Sequence, residues 1–543
     1  MTFPTDVEAA AWAESPALLL VGAERADVRT LSYAALHERV SCVATRLALS
    51  LAAGACAANA RVCVVSGADG DGVPPLTTVL AHLAAWRAGA AVVPLDAHWP
   101  ARRAAAVVRA TGAAAVIAPR GRGRAAAEEA LVLAGLDGAC VVLDADELAR
   151  ATDEHVADAN ACSHDDCDLT RERERPLPMA KELSLLPSRV DERVLAHVVF
   201  TSGTTGAPKG VLCERGHLAA YGAARRKAES LLPGDVVLAA SAPTFDPFQA
   251  DLVAALGCGA ALALAPRSEV LADPLGVCVA VGATHVTTTP AAWVAAVAGA
   301  AATSARASHL APPTLRVLSI GGEAMPRTML EAWLLATSAT GGRDGDDHGL
   351  ELRNVYGVTE CCAYQTARAM CRGDSARHIG AALPCCDIDL LRGGAYVPAK
   401  TSTSCGVGAA APSAAIIALA ALSDPAVDAH AVAIAGTGTD TGAALSPAGE
   451  LCIRGQTLAR GYLDDDALTA ERFVAGVASE GIPGASARGR MQRRYLTGDI
   501  ACLDASTKGD GSLVLLGRRD DQVKVAGARV ELGEVRTVLQ MRA

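Results

Sequence analysis

Thr201-Ser202-Gly203-Thr204-Thr205-Gly206-Ala207-Pro208-Lys209-Gly210 carries the strongest chemical signal in this chain of 543 residues. The run follows an apolar stretch, Ala196–Phe200, that reads as a strand. Its glycines let the backbone turn tightly. Its small hydroxyl residues add O–H donors to the backbone N–H groups, a combination suited to an anion such as a phosphate. Lys209 contributes a point charge. The GK[ST] ending of the P-loop is absent. A Gly/Thr loop taken alone reads equally well as a flexible surface loop, so order and context must decide. A second cluster, Cys162, His164 and Cys167, has the residue types of a metal site. It lies in a polar segment with no matching second pair, and surface thiols are the better reading.

The elements around these residues alternate. Arg61–Ser66, Ala90–Leu95 and Ala114–Ala118 are short apolar runs, separated by helical patterns such as Tyr33–Leu49 and Thr77–Arg87. Further strands are expected at Val236–Ala240, Ala260–Ala265, Val286–Thr289 and Leu315–Ile320, with a helix from about Arg215 and an apolar helix over Ala250–Leu256. This alternation predicts an α/β fold with mainly parallel sheets. After Gly449 the pieces Leu451–Arg454, Tyr495–Leu503, Leu513–Leu516 and Gln522–Val525 suggest a smaller β-rich subdomain. Three segments break the pattern: the polar stretch 151–193, the small acidic Gly341–His348, and the low-complexity stretch 399–446. All three are expected to be exposed inserts.

Composition narrows the class. Hydrophobic residues are 51% and charged residues 20%, enough for a large core, while aromatics are only 3%. A net charge of -10 argues against nucleic acid or an anionic membrane as the main partner. No apolar run has the length of a membrane span, and the first residues lack a secretory pattern. With 17 scattered cysteines, a reducing, cytoplasmic setting is expected.

The ten-residue run resembles the phosphate-binding signature of the adenylate-forming superfamily, which includes acyl-CoA ligases, luciferases and nonribosomal peptide synthetase adenylation domains. The resemblance continues in family order over most of the chain. It takes in Leu31–Leu36; Arg87–Asp96 with Trp99-Pro100; Asn354-Val355-Tyr356-Gly357-Val358-Thr359-Glu360; Gly449–Gly455 through Gly461-Tyr462; Tyr495–Asp499; and Gly517–Val525. It implies two parallel-sheet α/β subdomains plus a smaller β-rich one over residues 1–518, then a hinge at Asp520 and the start of a lid over 519–543. It also implies ATP, Mg2+ and a phosphopantetheine or CoA thiol as acceptor, with a possible carrier-protein domain as partner. The chain would join a carboxylic acid to AMP, the carboxylate attacking the α-phosphorus and pyrophosphate leaving. Thr204, Lys209 and Glu360 would act catalytically, and Glu360 would ligate Mg2+. The nucleotide would be held by Thr201, Ser202, Gly203, Thr204, Thr205, Gly206, Lys209, Gly322, Glu323, Asn354, Tyr356, Gly357, Thr359, Asp499 and Arg518. Among these, Tyr356 offers a ring face and Asn354 an amide to adenine, and Asp499 accepts from the ribose.

Asp246, within Phe245-Asp246-Pro247-Phe248, is the sharpest guide to the acid. In amino-acid-activating members an Asp here pairs with the substrate ammonium; the competing reading is a helix N-cap. By the same alignment Pro247, Ala250, Val355, Ala363 and Tyr364 would line the pocket. The bulk of Tyr364 favours a small amino acid, and Ser241–Arg267 with Leu315–Tyr364 are most similar to β-alanine-activating enzymes. The family's lid carries a lysine that none of Lys181, Lys209, Lys227, Lys400, Lys508 or Lys524 matches, so a truncated lid is expected. Two alternatives remain at this point: a CoA ligase for a non-amino acid, and a nucleotide-binding protein of weak catalysis.

Overall fold

Unbroken runs of Val, Ala and Leu make strands buried on both faces, and such strands suit the interior of a parallel sheet. Arg61–Ser66, Ala91–Asp96 and Ala115–Ala118 meet this requirement: nearly every residue in them is buried. The computed structural model describes residues 12–22, 27–53, 60–67, 76–136, 140–145, 191–201, 208–295, 314–331, 350–371, 374–392, 395–399, 448–475, 493–504, 512–519, 522–525, 528–531 and 535. The cysteine cluster at 162–167 and most of the three expected inserts lie outside these residues, as do residues 202–207 and Asp520.

Among the described residues a six-stranded sheet runs in the order Val141–Asp144, Ala115–Ala118, Arg61–Ser66, Ala91–Asp96, Leu195–Thr201, Lys209–Glu214. Its first five strands are parallel and the last is antiparallel. The sequence suggested that the loop after Thr201 ran straight into a helix. Instead Lys209–Glu214 folds back along Leu195–Thr201, Thr201 facing Lys209. The Gly/Thr run is therefore the connection of a hairpin.

A second sheet has fifteen described strands. Its parallel block is Glu351–Tyr356, Val317–Gly321, His285–Thr288, Val236–Leu238, Ala261–Leu264, Pro16–Val21. Beyond Glu351–Tyr356 the pairing turns antiparallel through Thr366–Ala369 and His378–Ala382. His378–Ala382 also pairs with Leu513–Arg518, which leads into the antiparallel strands Arg493–Leu503, Gly449–Gly455 and Cys386–Arg392. The β-rich part is thus continuous with the second parallel sheet through one shared strand.

Helices close the faces by ordinary amphipathic spacing. In Tyr33–Ala53 the residues Leu36, Val40, Val43, Ala44, Leu47 and Leu51 form one buried stripe. Helix Leu76–Arg87 is buried from Thr78 to Trp86, and the Trp86 indole donates to the Ala196 carbonyl at 2.7 Å. Helices Arg215–Ala228 and Asp246–Leu256 cross at Gly222, where a Cβ would stand 3.1 Å from Val253 Cγ2. Ends obey local chemistry: Asp273 caps Pro274–Val281 through the Gly276 N–H at 2.9 Å, and Gly282 ends it at φ 63°. No described helix is long and apolar enough to cross a membrane.

Gly380, in the shared strand, sits at φ 78°, and a Cβ there would lie 2.0 Å from the Ala367 carbonyl oxygen. Gly112 is also left-handed, at φ 52°, with nothing within 4 Å. Gly380→Ala should therefore cost about 3 kcal/mol or more, and Gly112→Ala only about 1 kcal/mol. Denaturant midpoints of the two variants check this; equal losses would refute the steric account.

Candidate active site

Parallel strands send their carboxyl ends to one edge, and crevices form there. In the second sheet Val317–Gly321 and Glu351–Tyr356 are neighbours in register, Gly321 opposite Val355. A Cβ on Gly321 would meet Val355 Cγ2 at 2.6 Å and Tyr364 Cε1 at 2.7 Å, so the Tyr364 ring lies against this glycine. After Tyr356 the chain makes a tight return. A Cβ on Gly357 would stand 1.9 Å from the Ala363 carbonyl oxygen, so only glycine fits. Cys362 and Ala363 follow at φ 66° and 62°. Left-handed backbone at two such residues costs roughly 1–2 kcal/mol each. Buried Gln365 holds the turn: its Oε1 accepts from the Val358 N–H at 2.9 Å, and its Nε2 donates to the Cys361 and Cys362 carbonyls at 2.7 and 3.2 Å.

That return delivers two donors to Asp246. The Ala363 N–H reaches Oδ2 at 2.9 Å and the Thr359 hydroxyl reaches Oδ1 at 3.2 Å. Asp246 is only 6% exposed, and burial holds its carboxyl above the usual range despite these bonds. It does not serve as the helix N-cap, a position Phe245 occupies. Pro247 lies in the first turn and Ala250 is buried one turn on. Among the described residues no arginine or lysine pairs with Asp246.

Glu360, on the same return, is buried, and Oε1 accepts from the Tyr462 hydroxyl at 2.9 Å. Tyr462 is brought there by Lys209–Glu214, which bridges the chain around it: Leu212 N–H donates to Gly461 and Leu463 N–H to Gly210. The strand that closes the Gly/Thr hairpin therefore also fixes Glu360. Lys209 stands at its first position, opposite Thr201, whose buried Oγ1 has no hydrogen-bond partner among the described residues. Ser202, Gly203, Thr204, Thr205 and Gly206 lie outside the described residues.

Asp499 joins the opposite wall. Its Oδ2 accepts from the Tyr356 hydroxyl at 2.6 Å and its Oδ1 from Arg518 at 2.9 Å. Glu450, which the sequence did not single out as a site residue, fixes this group: Oε1 accepts from the Gly498 N–H at 3.0 Å and Oε2 from Arg519 at 2.9 Å. Asn354 Nδ2 donates to the Ala376 and His378 carbonyls at 3.1 and 2.8 Å. Gly322, at φ 85°, and Glu323 follow the end of Val317–Gly321.

A family model described as AMP-binding enzyme matches residues 6–406. The chain belongs to the AMP-binding enzyme family. Novobiocin biosynthesis protein H of Streptomyces niveus is 30% identical over 85% of this chain, which spans 59% of that protein. The probable non-canonical nonribosomal peptide synthetase CymA of Salinispora arenicola is 32% identical over 85% of the chain, which spans 4% of it. The adenylation domain AlmE of Vibrio cholerae, solved with glycyl-adenosine-5'-phosphate, superposes with a TM-score of 0.63 at 21% identity, covering 98% of this chain and 81% of that one. The Klebsiella oxytoca NpsA N-terminal subdomain, bound to 3-hydroxyanthranilyl-AMSN, gives 0.60 at 19% identity, covering 95% of this chain and 98% of that one. These likenesses agree with the mixed α/β fold.

Within this family member a buried ion cluster lies one helical turn beyond Asp246. Arg225 donates to Glu229 at 2.9 Å, Asp251 at 2.5 Å and the Thr287 hydroxyl at 2.8 Å, and Glu229 also accepts from Ser319 at 2.8 Å. Arg225 holds the Glu229 carboxyl low, whereas burial pushes Asp251 up to about 6. The folded chain then binds this proton more tightly than the unfolded chain, so stability should fall as pH rises from about 4 to about 6. Asp251→Asn should remove about 1–3 kcal/mol of that fall. Denaturant midpoints at pH 4.5 and 6.5 check it; an undiminished fall in the variant would refute the assignment.

Proposed function

We propose that this chain adenylates an amino acid: the substrate carboxylate attacks the α-phosphorus of ATP, a P–O bond forms, and pyrophosphate leaves. The observation that carries this reading is the buried Asp246 carboxylate, which among the described residues accepts hydrogen bonds from the neutral Thr359 hydroxyl and Ala363 N–H and pairs with no arginine or lysine. A charge removed from water needs a cation or a proton, and a substrate ammonium supplies the cation. A carboxylic acid without an amine would leave Asp246 buried and unmatched, which argues against the non-amino-acid CoA ligase reading.

The roles follow from position. Asp499 and Arg518 would bind the ribose, with Tyr356 offering its ring and Asn354 its Oδ1 to the adenine. Thr201, Lys209 and residues 202–206 would hold the phosphates. Gly322 and Glu323, at the sheet edge, would pass close to the nucleotide. No group of three or more His, Cys, Asp or Glu able to hold a metal occurs among the described residues. Glu360 fits a Mg2+ held by one carboxylate together with phosphate oxygens, and such an ion would supply charge neutralisation at the phosphates. The protein's own work is to place two reactants and screen developing charge. The adenylate would then pass to a phosphopantetheine thiol, a reading supported by the solved adenylation and PCP domains of PA1221 and NpsA-ThdA. Residues 1–518 would form the adenylation domain, and 519–543 the hinge, at Asp520, and the start of the lid.

Binding of non-hydrolysable acyl-adenylate analogues tests this by calorimetry. Small aminoacyl forms should bind, and Asp246→Ala should weaken them by about 2–5 kcal/mol. Preference for fatty or aryl forms, with no effect of Asp246→Ala, would reverse the assignment. Tyr462→Phe should leave Glu360 less well held and weaken Mg2+-ATP more than AMP, read as two dissociation constants on one protein.

A further inference from the structure

The strand that carries Asp499 leaves its ladder at one place. Arg493–Leu503 and Gly449–Gly455 pair Leu496 with Cys452 and Ile500 with Glu450, so Thr497, Gly498 and Asp499 stand opposite Leu451 alone. Three residues against one make a bulge, and a bulge re-aims side chains while interrupting the ladder. Gly498 takes φ 78° there. Asp499, at the end of the bulge, reaches the Tyr356 hydroxyl and Arg518.

Side chains replace the interrupted ladder. The Thr497 hydroxyl donates to the Leu451 carbonyl at 2.8 Å and accepts from the Asp499 N–H at 3.0 Å. Arg518 donates to the Thr497 carbonyl at 3.1 Å. Glu450 takes the central amide: its Oε1 accepts from the Gly498 N–H at 3.0 Å, and its Oε2 accepts from the Arg519 side chain at 2.9 Å. The Arg519 backbone N–H returns to the Gly498 carbonyl at 2.8 Å. Gly498 is therefore gripped at its N–H and at its carbonyl by the two members of one ion pair. Glu450 is buried, and hydrogen bonds to an ionised carboxylate are the strong ones. Asp499 has little freedom to spare. Tyr356 and Arg518 each occupy one of its oxygens, so the ribose hydroxyls must use the lone pairs that remain. A small rotation of this carboxylate would weaken both ribose bonds together.

We propose that Glu450 is a positioning residue for the nucleotide: steered by Arg519, it fixes the bulge that aims Asp499 at the ribose hydroxyls. The inference rests on the adenylation reading, in which Asp499 binds the ribose, and deepens it. Glu450 acts through Gly498 and not by touching the nucleotide. Its removal should therefore erode recognition of the ribose hydroxyls and leave the rest of the nucleotide's binding in place.

The test is calorimetry on the chain as it stands with two probes, AMP and dideoxy-AMP, which lacks both ribose hydroxyls. The unaltered chain should bind AMP at least about 10-fold tighter than dideoxy-AMP. Glu450→Ala should cut that ratio to about 3-fold or less. A ratio of two ligands on one variant is insensitive to its stability, so a merely structural role would not move it. Glu450→Gln and Arg519→Ala each keep an oxygen for the Gly498 N–H and lose only the ion pair, whose guanidinium is largely exposed, so each should retain about half of the ratio. Should Glu450→Ala not fold, these two variants carry the test. An unchanged ratio in Glu450→Ala, or in both milder variants where Glu450→Ala does not fold, would overturn the inference and leave adenylation intact, provided Asp499→Asn abolishes the ratio. Equal binding of both probes by the unaltered chain would overturn the ribose role of Asp499 and this inference with it. Failure to bind AMP at all would overturn the adenylation reading itself.

Discussion

A carboxylate out of water governs this structure. Asp246 is 6% exposed, and dehydrating it would be unfavourable by several kcal/mol without compensation. Its two protein donors come from one return of the chain, Thr359 and Ala363. That return must be tight enough to send a hydroxyl and an amide to the same carboxylate. Gly357 permits the tightness, and Cys362 and Ala363 accept left-handed backbone to complete it. Gln365 offsets the strain by satisfying three backbone groups inside the turn. Glu360, on the outer arm of the same turn, is thereby fixed relative to Asp246, so the candidate metal ligand and the candidate amine anchor are set by one piece of backbone.

The sheets explain how distant segments reach that turn. Parallel strands bring Gly321 and Val355 side by side, and the antiparallel continuation returns Asp499 to the Tyr356 hydroxyl. The hairpin closed by Lys209–Glu214 approaches from the other sheet and carries Tyr462 to Glu360 through backbone bonds to Gly461 and Leu463. Three independent chain segments thus end on one loop, with hydrogen bonds of 2.6–3.2 Å at each arrival.

What the sequence revealed, it revealed locally. The parallel strands were legible because burial on both faces writes itself as unbroken Val, Ala and Leu, and the site motifs because each is a contiguous run of special residues. Lys209–Glu214 was missed as a strand: it begins with a lysine and a glycine and draws its partner from a hairpin whose connection looks like a loop. The helix over Ala250–Leu256 in fact starts at Asp246, since the proline after Asp246 suits a first turn. The ion cluster was invisible for another reason. Arg225 and Asp251 are 26 positions apart, and Ser319 is 90 from Glu229, so no window on the sequence contains the set. Glu450 was noted as part of a motif, but its grip on Gly498 becomes evident only once the strands pair.

Two aspartates on one helix make the final point. Asp246 and Asp251 are both buried, and burial raises both carboxyls. Asp251 has a guanidinium at 2.5 Å; Asp246 has a hydroxyl and an amide. His197 contributes to the field at Asp246 from the neighbouring sheet. One acid is thus matched by a guanidinium of the protein and the other by a hydroxyl and an amide. A chain that needed Asp246 only for structure could have bridged it as it bridges Asp251. With neutral donors, Asp246 is suited to the cation that the proposed amino-acid substrate would bring.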